Sequence, residues 1–498
     1  MKKHFFLLIA SLMAVTGHAQ TFNLIVNNGY GSGNYAAGDT VHVWCEAIPD
    51  DAVFAQWSGD IATVADVEEW HTTLVMPARN VTLTANFRTI APFAIQYERI
   101  KAVNNRKNVY YYFPPRYKGV IFLAHGTGGK AEYWLDFYEN YQFTKDAVAD
   151  SFAVIFTEAE EITLNTDLNG DGKLRWSSSP LDSAANVDFA NIIALTDTFV
   201  ARGRMTRSTP RFAVGISNGA VFSFTIATFL KYNGVAGYCG AGNNALFRIG
   251  VTPAQWCMAK YDSHEEVGPA GNAQALANYN TLASRGIAAR YFLLDRSPCY
   301  PDRFGRSGVI SLPTSRALFN EFRANGVLDA NDYFRLNAFS LIARVTSMPA
   351  QFPVFISLNE TQRLFVFSQV DVMYADHAFY SDYNRKTLRF FNSILRGTTR
   401  VESRDEETSR PEDFALSQNF PNPFNPSTVI SFQLPVNSHV TLRVFDVNGR
   451  EVATLVDSEM ASGKHAVTFA PHAATTGLYF YKLTAGIFSQ TRKAVLMK

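Results

Sequence analysis

The sequence lacks the features that mark several large classes of protein. Its apolar run from Phe5 to Val15 is shorter than the about 20 residues that a membrane-spanning helix needs, and no later segment is long and apolar enough. Its 45 basic and 44 acidic residues leave a formal net charge of +1, which gives no field that attracts nucleic acid. We therefore expect no transmembrane segment and no nucleic-acid partner.

Cysteines and cofactor motifs are also scarce. The four cysteines do not have the spacing of metal ligands, and they allow three full pairings among which the sequence does not choose: Cys45, Cys239, Cys257 and Cys299. We interpret them as structural, with at least one unpaired or buried as a small apolar side chain. Because zinc constellations and dinucleotide fingerprints are absent as well, no cofactor is expected to be required.

The chain is rich in apolar residues, which make up 47% of it against 18% charged residues, so a large core is expected. Residues 1–19 have the pattern of a signal peptide: Lys2 and Lys3, then the apolar run, then the small residues Gly17 and Ala19. The mature protein is therefore expected to lie outside the cytoplasm.

Residues 20–90 are predicted to form a small all-β module, because short β-branched and aromatic segments alternate with Gly and Asn turns. Gly-Asp-Thr-Val at 38–41, Phe-Ala-Gln-Trp-Ser-Gly-Asp at 54–60, and Met-Pro followed by Val-Thr and Phe over 76–87 resemble the divergent internalin-type B-repeat. That resemblance implies a spacer or an adhesion unit, and we favour the spacer.

The last part of the chain resembles a second known module. After a polar linker at residues 398–413, the segments Gln418–Thr428, Val444–Arg450 and Gly477–Lys482 closely resemble the C-terminal sorting domain of the type IX secretion system. For residues 414–498 the resemblance implies a β-sandwich that engages the type IX secretion machinery and has no catalytic role. It also implies that the protein is exported through the periplasm and outer membrane and is secreted or held at the cell surface.

Residues 93–397 have the pattern of an α/β domain. Short buried-strand runs such as Gly119–Ala124, Arg211–Ile216 and Ala289–Leu294 alternate with helix-length segments, which is typical of a doubly wound, mostly parallel sheet. The sequence thus predicts an α/β protein in which this domain is flanked by two small all-β domains.

The segment Gly215–Gly219 reads G-I-S-N-G and fits the G-x-S-x-G pattern between a predicted strand and a predicted helix. A sharp strand-to-helix turn would expose the hydroxyl of Ser217 as a nucleophile. Upstream, a strand ends in the glycine-rich loop 125–129, H-G-T-G-G. We expect the N–H groups of Asn218 and Thr127, with Gly126 as an alternative, to form an oxyanion hole that His125 orients.

An acid and a base are expected later in the chain, in the order Ser, Asp, His. Asp262 comes just after the predicted strand Gln255–Lys260, which is the second strand after the one that leads to Ser217. We choose Asp262 as the acid, and Asp295 and Asp302 remain alternatives. His377, on a loop before the last helix, is predicted to be the base, and His264 is a candidate pocket residue.

Together these motifs resemble the α/β-hydrolase superfamily, and most of all the secreted esterases similar to polyhydroxybutyrate depolymerases and feruloyl esterases. The resemblance implies a Ser217–His377–Asp262 triad and an acyl-enzyme. About 80 residues separate Leu294 from His377, where that family usually has a short loop, so an inserted cap is expected.

Two weaker signals concern ligands. Asp167, Asn169 and Asp171 sit at alternate positions like the opening of a calcium loop, but position twelve is Ser178 rather than Glu, so a structural calcium and a plain turn both stay open. Trp134 and Trp176 could line an aromatic acyl pocket, against the alternative that both are core residues.

The function hypothesis is a serine esterase acting on an extracellular polymeric or oligomeric ester: a polyester, a hydroxyalkanoate, or a feruloyl or acetyl ester of a polysaccharide. A serine peptidase of the same fold and a non-catalytic surface-binding protein are the alternatives.

Overall fold

The computed structural model describes residues 20–180, 182, 184–397, 415–419, 421–434, 438–447, 449–461, 463–471, 475–485 and 488–497. The predicted signal peptide at 1–19 and the predicted linker at 398–413 lie outside these residues. The chain divides into two compact units, residues 1–405 and residues 406–498, each described here by itself.

The first unit begins with a β-module made of two small sheets. Its strands are β1 (Thr21–Asn27), β2 (Gly29–Tyr30), β3 (Gly33–Ala36), β4 (Thr40–Cys45), β5 (Ala52–Gly59), β6 (His71–Val75) and β7 (Val81–Thr89). One sheet has the order β3-β1-β7-β5 and the other β2-β4-β6. Alternate residues of β7, namely Val81, Leu83 and Ala85, are buried in the module's core, as expected for strands with one face toward solvent.

An eight-stranded sheet forms the centre of the first unit. Its strands are β8 (Gln96–Lys101), β9 (Arg106–Tyr112), β10 (Gly119–Ala124), β11 (Phe152–Thr157), β12 (Arg211–Ile216), β13 (Gly234–Tyr238), β14 (Ala254–Ala259) and β15 (Ala289–Leu294). The order is β15-β14-β13-β12-β10-β11-β9-β8, parallel from β15 to β11 and antiparallel at β9 and β8. This order is that of the α/β-hydrolase fold, which confirms the predicted fold class.

Helices cover both faces of this sheet. They are α1 (Tyr133–Asp136), α2 (Tyr138–Ala149), α3 (Glu160–Leu164), α4 (Val187–Ala201), α5 (Asn218–Phe229), α6 (Asn244–Ile249) and α7 (Gly268–Ser284). Every residue of β10, β11 and β14 is buried, because each strand has a helical layer on either side. Two separate apolar clusters, one on each face, make up the core.

A helical insertion lies between β15 and His377. It contains α8 (Leu312–Ala324), α9 (Ala338–Ser347), α10 (Pro353–Ser357) and α11 (Glu360–Tyr374), and the last helix of the unit, α12 (Asn384–Leu395), follows it. The insertion has an apolar cluster of its own, in which Phe322 contacts the rings of Phe304, Phe334 and Phe355. We call residues 295–374 the cap.

The N-terminal module packs against the cap and against α12. Tyr300 of the cap is part of the module's apolar core, and its ring centroid lies 4.9 Å from that of Trp44. Arg389 of α12 forms ion pairs with Asp66 at 2.5 Å and with the buried Glu69 at 3.0 Å. The module therefore packs against the rest of this unit through both aromatic and charged side chains, and its role as a spacer stays a prediction.

The second unit consists of two antiparallel sheets. Its strands are β16 (Ala415–Leu416), β17 (Thr428–Leu434), β18 (Ser438–Phe445), β19 (Glu451–Met460), β20 (Gly463–Phe469), β21 (Gly477–Ala485) and β22 (Phe488–Leu496). The sheet orders are β16-β17-β20 and β19-β18-β21-β22. Alternate residues of β18, Val440, Leu442 and Val444, point into a shared apolar core, as in a β-sandwich.

All four cysteines are buried, and none is in a disulfide. Burial raises the pKa of Cys45 and of Cys257 to about 12, so these thiols stay protonated and unreactive. None of the helices in the described part of the chain is long and apolar enough to cross a membrane.

The state of the cysteines gives a first prediction. Without reductant, Ellman's reagent should titrate no thiol in the folded protein and four thiols in guanidinium chloride, because only unfolding exposes the sulfur atoms. Fewer than four thiols in the denatured protein would mean that a disulfide forms, contrary to the structure.

Candidate functional site

Ser217 lies at a sharp turn between β12 and α5. Its backbone has φ 57° and ψ −125°, in a region that costs a non-glycine residue about 1–3 kcal/mol. The turn brings α5 against the end of β10, and only glycine fits there. A Cβ on Gly219 would lie 2.3 Å from the carbonyl oxygen of His125, and one on Gly215 would lie 2.2 Å from that of Gly219.

The loop after β10 lies beside this turn. A Cβ on Gly126 would be 3.3 Å from Ser217 Cβ, so the loop passes directly over the nucleophile candidate. The N–H of Gly128 donates to Leu174 and that of Gly129 to Gly126, whereas the N–H groups of Thr127 and Asn218 have no protein acceptor among the described residues. Two unused donors beside a serine hydroxyl are what an oxyanion hole requires.

His125 is buried and holds the shape of this loop. Its Nε2 accepts from the N–H of Ala159 at 3.1 Å, which leaves the proton on Nδ1 to donate to the carbonyl of Gly126 at 2.7 Å. Burial lowers the pKa of His125 to about 4, so the ring is neutral. His125 is therefore placed to orient the loop, as expected, and has no ring nitrogen left to act as a base.

Asp262 and His377 are in direct contact. Asp262 follows β14, is buried, and its Oδ2 is 2.8 Å from His377 Nδ1. Its Oδ1 accepts the main-chain N–H of His264 at 2.9 Å. This contact leaves His377 Nε2 as the nitrogen available for proton transfer.

A catalytic triad also needs a contact between the serine and the histidine. Within the described residues, no hydrogen bond joins Ser217 Oγ to His377. Ser217 borders the same cleft as the loop of residues 262–267, which we call the acid loop, because Glu266 and Val267 of this loop lie along the cleft wall. Catalytic hydrogen bonds are often long without substrate, so the three side chains remain a candidate triad.

Asp295 and Asp302, the alternative acids, form contacts with residues other than His377. Asp295 forms an ion pair with Lys260. Asp302 accepts from Arg316 at 2.6 Å and from Tyr30 of the N-terminal module at 3.0 Å. Neither contacts His377, so the structure favours Asp262.

Two residues near the base had no assigned catalytic role in the sequence analysis. His264 stacks on His377 with ring centroids 4.4 Å apart, and burial together with the charge of His377 lowers the pKa of His264. Asp376 accepts the N–H groups of Ser263 at 2.6 Å and of His377 at 2.8 Å, which ties the acid and base loops together. Its position next to His377 was the one sequence signal for this role.

The cleft beside Ser217 has a volume of about 700 Å³ and is bordered by small and polar residues. Hydroxyl, amide and charged side chains make up much of its wall: Asn169, Arg175, Ser177, Ser178, Ser179, Asn218, Asn243, Asn244, Glu266 and Gln274. Apolar side chains form the rest of the wall, and except for Trp176 they are small: Trp176, Val221, Ala241, Val267 and Ala270. A cleft of this composition suits a ligand with many hydrogen-bonding groups.

The prediction of an aromatic acyl pocket needs correction. Trp134 is fully buried and packs against Phe143 and Phe379 in the core. Trp176 borders the cleft, but its indole stacks on Phe222 at 4.4 Å and donates to the carbonyl of His125. Both indoles turn inward because each completes a core layer beside the sheet, so neither offers a face to an aromatic substrate.

The segment Asp167–Asp171 forms a tight turn. Asp167 accepts the N–H groups of Gly170 and Gly172, each at 2.7 Å, and Asn169 accepts that of Asp171 at 3.0 Å. Asp171 also pairs with Arg175 at 2.5 Å, so a positive charge already neutralises it. These contacts are those of an Asn/Asp turn, and calcium at this turn stays a prediction.

Comparisons with known proteins add to this geometry. Residues 23–91 match the model of the divergent InlB B-repeat domain, and residues 418–497 match that of the secretion system C-terminal sorting domain. The second match marks the chain for type IX export to the cell surface or the extracellular space and implies contact with that machinery. No curated protein matches the chain.

Solved structures similar to this chain include hydrolases. A dienelactone hydrolase from Anabaena variabilis has 14% identity and a TM-score of 0.31 over 41% of this chain and 87% of its own. A ferulic acid esterase has 9% identity and a TM-score of 0.32 over 41% and 89%. An acylaminoacyl peptidase from Pyrococcus horikoshii has 10% identity and a TM-score of 0.30 over 54% and 45%.

The close approach of α5 to β10 gives a second prediction. Gly219→Ala should lower the free energy of unfolding by about 1–3 kcal/mol or more, because the new methyl group overlaps the carbonyl oxygen of His125. Urea unfolding measures this change. An unaltered midpoint would show that the helix can move away from the strand at little cost.

Gly126→Ala is the matched variant. Its methyl group would lie 3.9 Å from Ser217 Oγ without overlapping the backbone, so the melting temperature should change little. Hydrolysis of p-nitrophenyl acetate should nevertheless fall about tenfold, because the methyl group occupies space above the nucleophile. Equal activity of this variant and the unmodified protein would place the reacting carbonyl elsewhere.

Proposed function

We propose that the protein is a secreted serine hydrolase that cleaves carboxylic esters through an acyl-enzyme on Ser217. The observation that carries the proposal is the strained turn at Ser217, which lies between the loop that carries the unused N–H of Thr127 and the helix that begins with the unused N–H of Asn218. The contact between Asp262 and His377 supplies the matching acid and base on the same edge of the sheet.

In this mechanism His377 Nε2 takes the proton of Ser217 as Oγ attacks the ester carbonyl carbon. The N–H groups of Thr127 and Asn218 stabilise the negative charge on the carbonyl oxygen. The protonated His377, held by Asp262, then gives its proton to the leaving alkoxide, and an acyl ester on Ser217 remains. His377 next activates a water molecule, which releases the acid and restores Ser217.

The composition of the cleft supports a polar substrate. Its serine, asparagine and glutamine side chains offer donors and acceptors to hydroxyl groups, and the buried indoles of Trp134 and Trp176 leave no aromatic face there. Among the expected esters, this favours short acyl groups on a hydroxyl-rich polymer, such as an acetylated polysaccharide, over feruloyl or long-chain esters.

The nucleophile is tested by hydrolysis of p-nitrophenyl acetate. Ser217→Ala and His377→Ala should each lower kcat by about 10⁴-fold or more, because both side chains act in the same proton transfer. Undiminished hydrolysis by Ser217→Ala would overturn the proposal. Cleavage of peptide p-nitroanilides in place of esters would favour the peptidase hypothesis instead.

The substrate class is tested by comparing acyl chain lengths. For p-nitrophenyl acetate, butyrate and octanoate, kcat/KM should fall along the series by about tenfold in total, because the apolar side chains of the cleft are mostly small and offer a long acyl chain few contacts. Acetyl release from an acetylated polysaccharide, measured with Ser217→Ala as the control, should exceed ferulate release. A maximum at octanoate would contradict this assignment.

A further inference from the structure

His377 lies on a loop, residues 375–383, that we call the base loop. Its first half is held by Asp376, whose Oδ2 accepts from Asn337 of the cap at 2.8 Å and from the hydroxyl of Ser263 at 2.9 Å. These contacts fix the start of the loop to the acid loop and the cap. They do not fix the part that follows His377.

Directly after His377 the base loop is held by the core: Phe379 stacks on Tyr238 with ring centroids 4.1 Å apart, and Cys239 Sγ donates to the carbonyl oxygen of Ala378 at 3.3 Å. Residues 381 and 382 are held by two further contacts. Glu139 of α2 accepts the N–H of Ser381 at 3.2 Å and also its hydroxyl. The next residue, Asp382, is bound by the N-terminal module: His71, the first residue of β6, places Nδ1 2.6 Å from Asp382 Oδ1. The two residues are 311 positions apart, so only the docked module brings them together.

The contact between His71 and Asp382 continues through the module to the cap. His71 Nε2 is 3.0 Å from Nδ1 of His42, and His42 Nε2 is 3.3 Å from the hydroxyl of Tyr333 in the cap. Burial and the charge of His71 lower the pKa of His42 to about 3, so His42 is neutral and has one N–H to give. The result is a chain of hydrogen bonds from the cap, through two module histidines, to the base loop.

The surroundings strengthen this chain because they exclude water. The ring of His71 stacks on Trp44 at 5.1 Å and lies 5.6 Å from Trp70, and the side chains of His71 and Asp382 are only 11% and 10% exposed. Burial raises the pKa of Asp382, but the hydrogen bond and charge of His71 outweigh it and bring that pKa below its usual range. A charge-assisted hydrogen bond in a dry contact holds its partners in a defined geometry.

We propose that the N-terminal module is an integral part of the catalytic unit, in which His71 positions the base loop, and with it His377, through Asp382. This inference rests on the proposed function of His377. It replaces the role of spacer or adhesion unit with one inside the hydrolase. His71 is a positioning residue, because it acts through Asp382 and not on the substrate.

The test compares two variants at the same interface. His71→Ala removes the contact with the base loop, whereas Arg389→Ala removes the ion pairs of the module with α12 and leaves that contact in place. His71→Ala should lower kcat for p-nitrophenyl acetate by about tenfold or more with KM nearly unchanged, because a displaced His377 slows proton transfer without altering the cleft. Arg389→Ala should lower the melting temperature and leave kcat within about twofold.

Two further variants keep the test informative if His71→Ala does not fold, and they separate loss of the contact with Asp382 from a general loss of stability. His71→Gln keeps a side-chain N–H donor toward Asp382 and should recover part of the lost kcat. Asp382→Asn keeps the size of the side chain but removes its charge, so it should reproduce the fall in kcat if His71→Ala does not fold. Equal losses of kcat in His71→Ala and Arg389→Ala would overturn the proposal.

Hydrogen exchange separates this inference from the proposed function. Amides in residues 375–383 should exchange faster in His71→Ala than in Arg389→Ala, whether or not the protein hydrolyses esters. Unchanged protection of the base loop in His71→Ala would overturn the inference. Failure of a fluorophosphonate to label Ser217 in the unmodified protein would overturn the proposed function alone.

Discussion

The site depends on the close packing of the first turn of α5 against the carboxyl end of β10. In the parallel register of these strands Ala124 lies opposite Gly215, so the chain leaving β12 has little room before the helix begins. It turns within one residue, and that residue, Ser217, takes a backbone conformation that glycine would ordinarily occupy. The same packing aims the serine side chain out of the core and leaves the N–H of Asn218 at the free end of a helix.

A second constraint acts on His377, the candidate base, because the cap separates it from β15 in the sequence. Its loop is held by buried side chains from distant parts of the sequence: Asp376, Glu139 and His71. Such contacts are strong only when all their partners are satisfied and water is excluded. The aromatic layer between the module and the cap surrounds His71, so the contact of His71 with Asp382 depends on how the module packs against the cap.

Much of the α/β domain could be predicted from the sequence. The bounds of β10, β12 and β15 agree with the predicted strands. For β10 and β12 the reason is that a strand buried on both faces is a continuous apolar run with clear ends. The turn at Ser217 was also predictable from a local pattern, because glycines on either side of the serine mark a crowded strand-to-helix junction. The contact of Asp262 with His377 followed from strand order, since the carboxyl ends of parallel strands meet at one edge of the sheet.

The sequence by itself thus determined the fold class, the export signals and the order of the candidate catalytic residues, because these features depend on local patterns and on strand order. Only the tertiary structure decided which way Trp134 and Trp176 face, that the cleft is polar, and that His71 reaches the base loop. These features depend on the packing of surfaces that are far apart in the chain, and residue patterns do not encode which of two apolar faces a side chain will join. For the same reason the sequence does not show that the N-terminal module packs against the cap and α12.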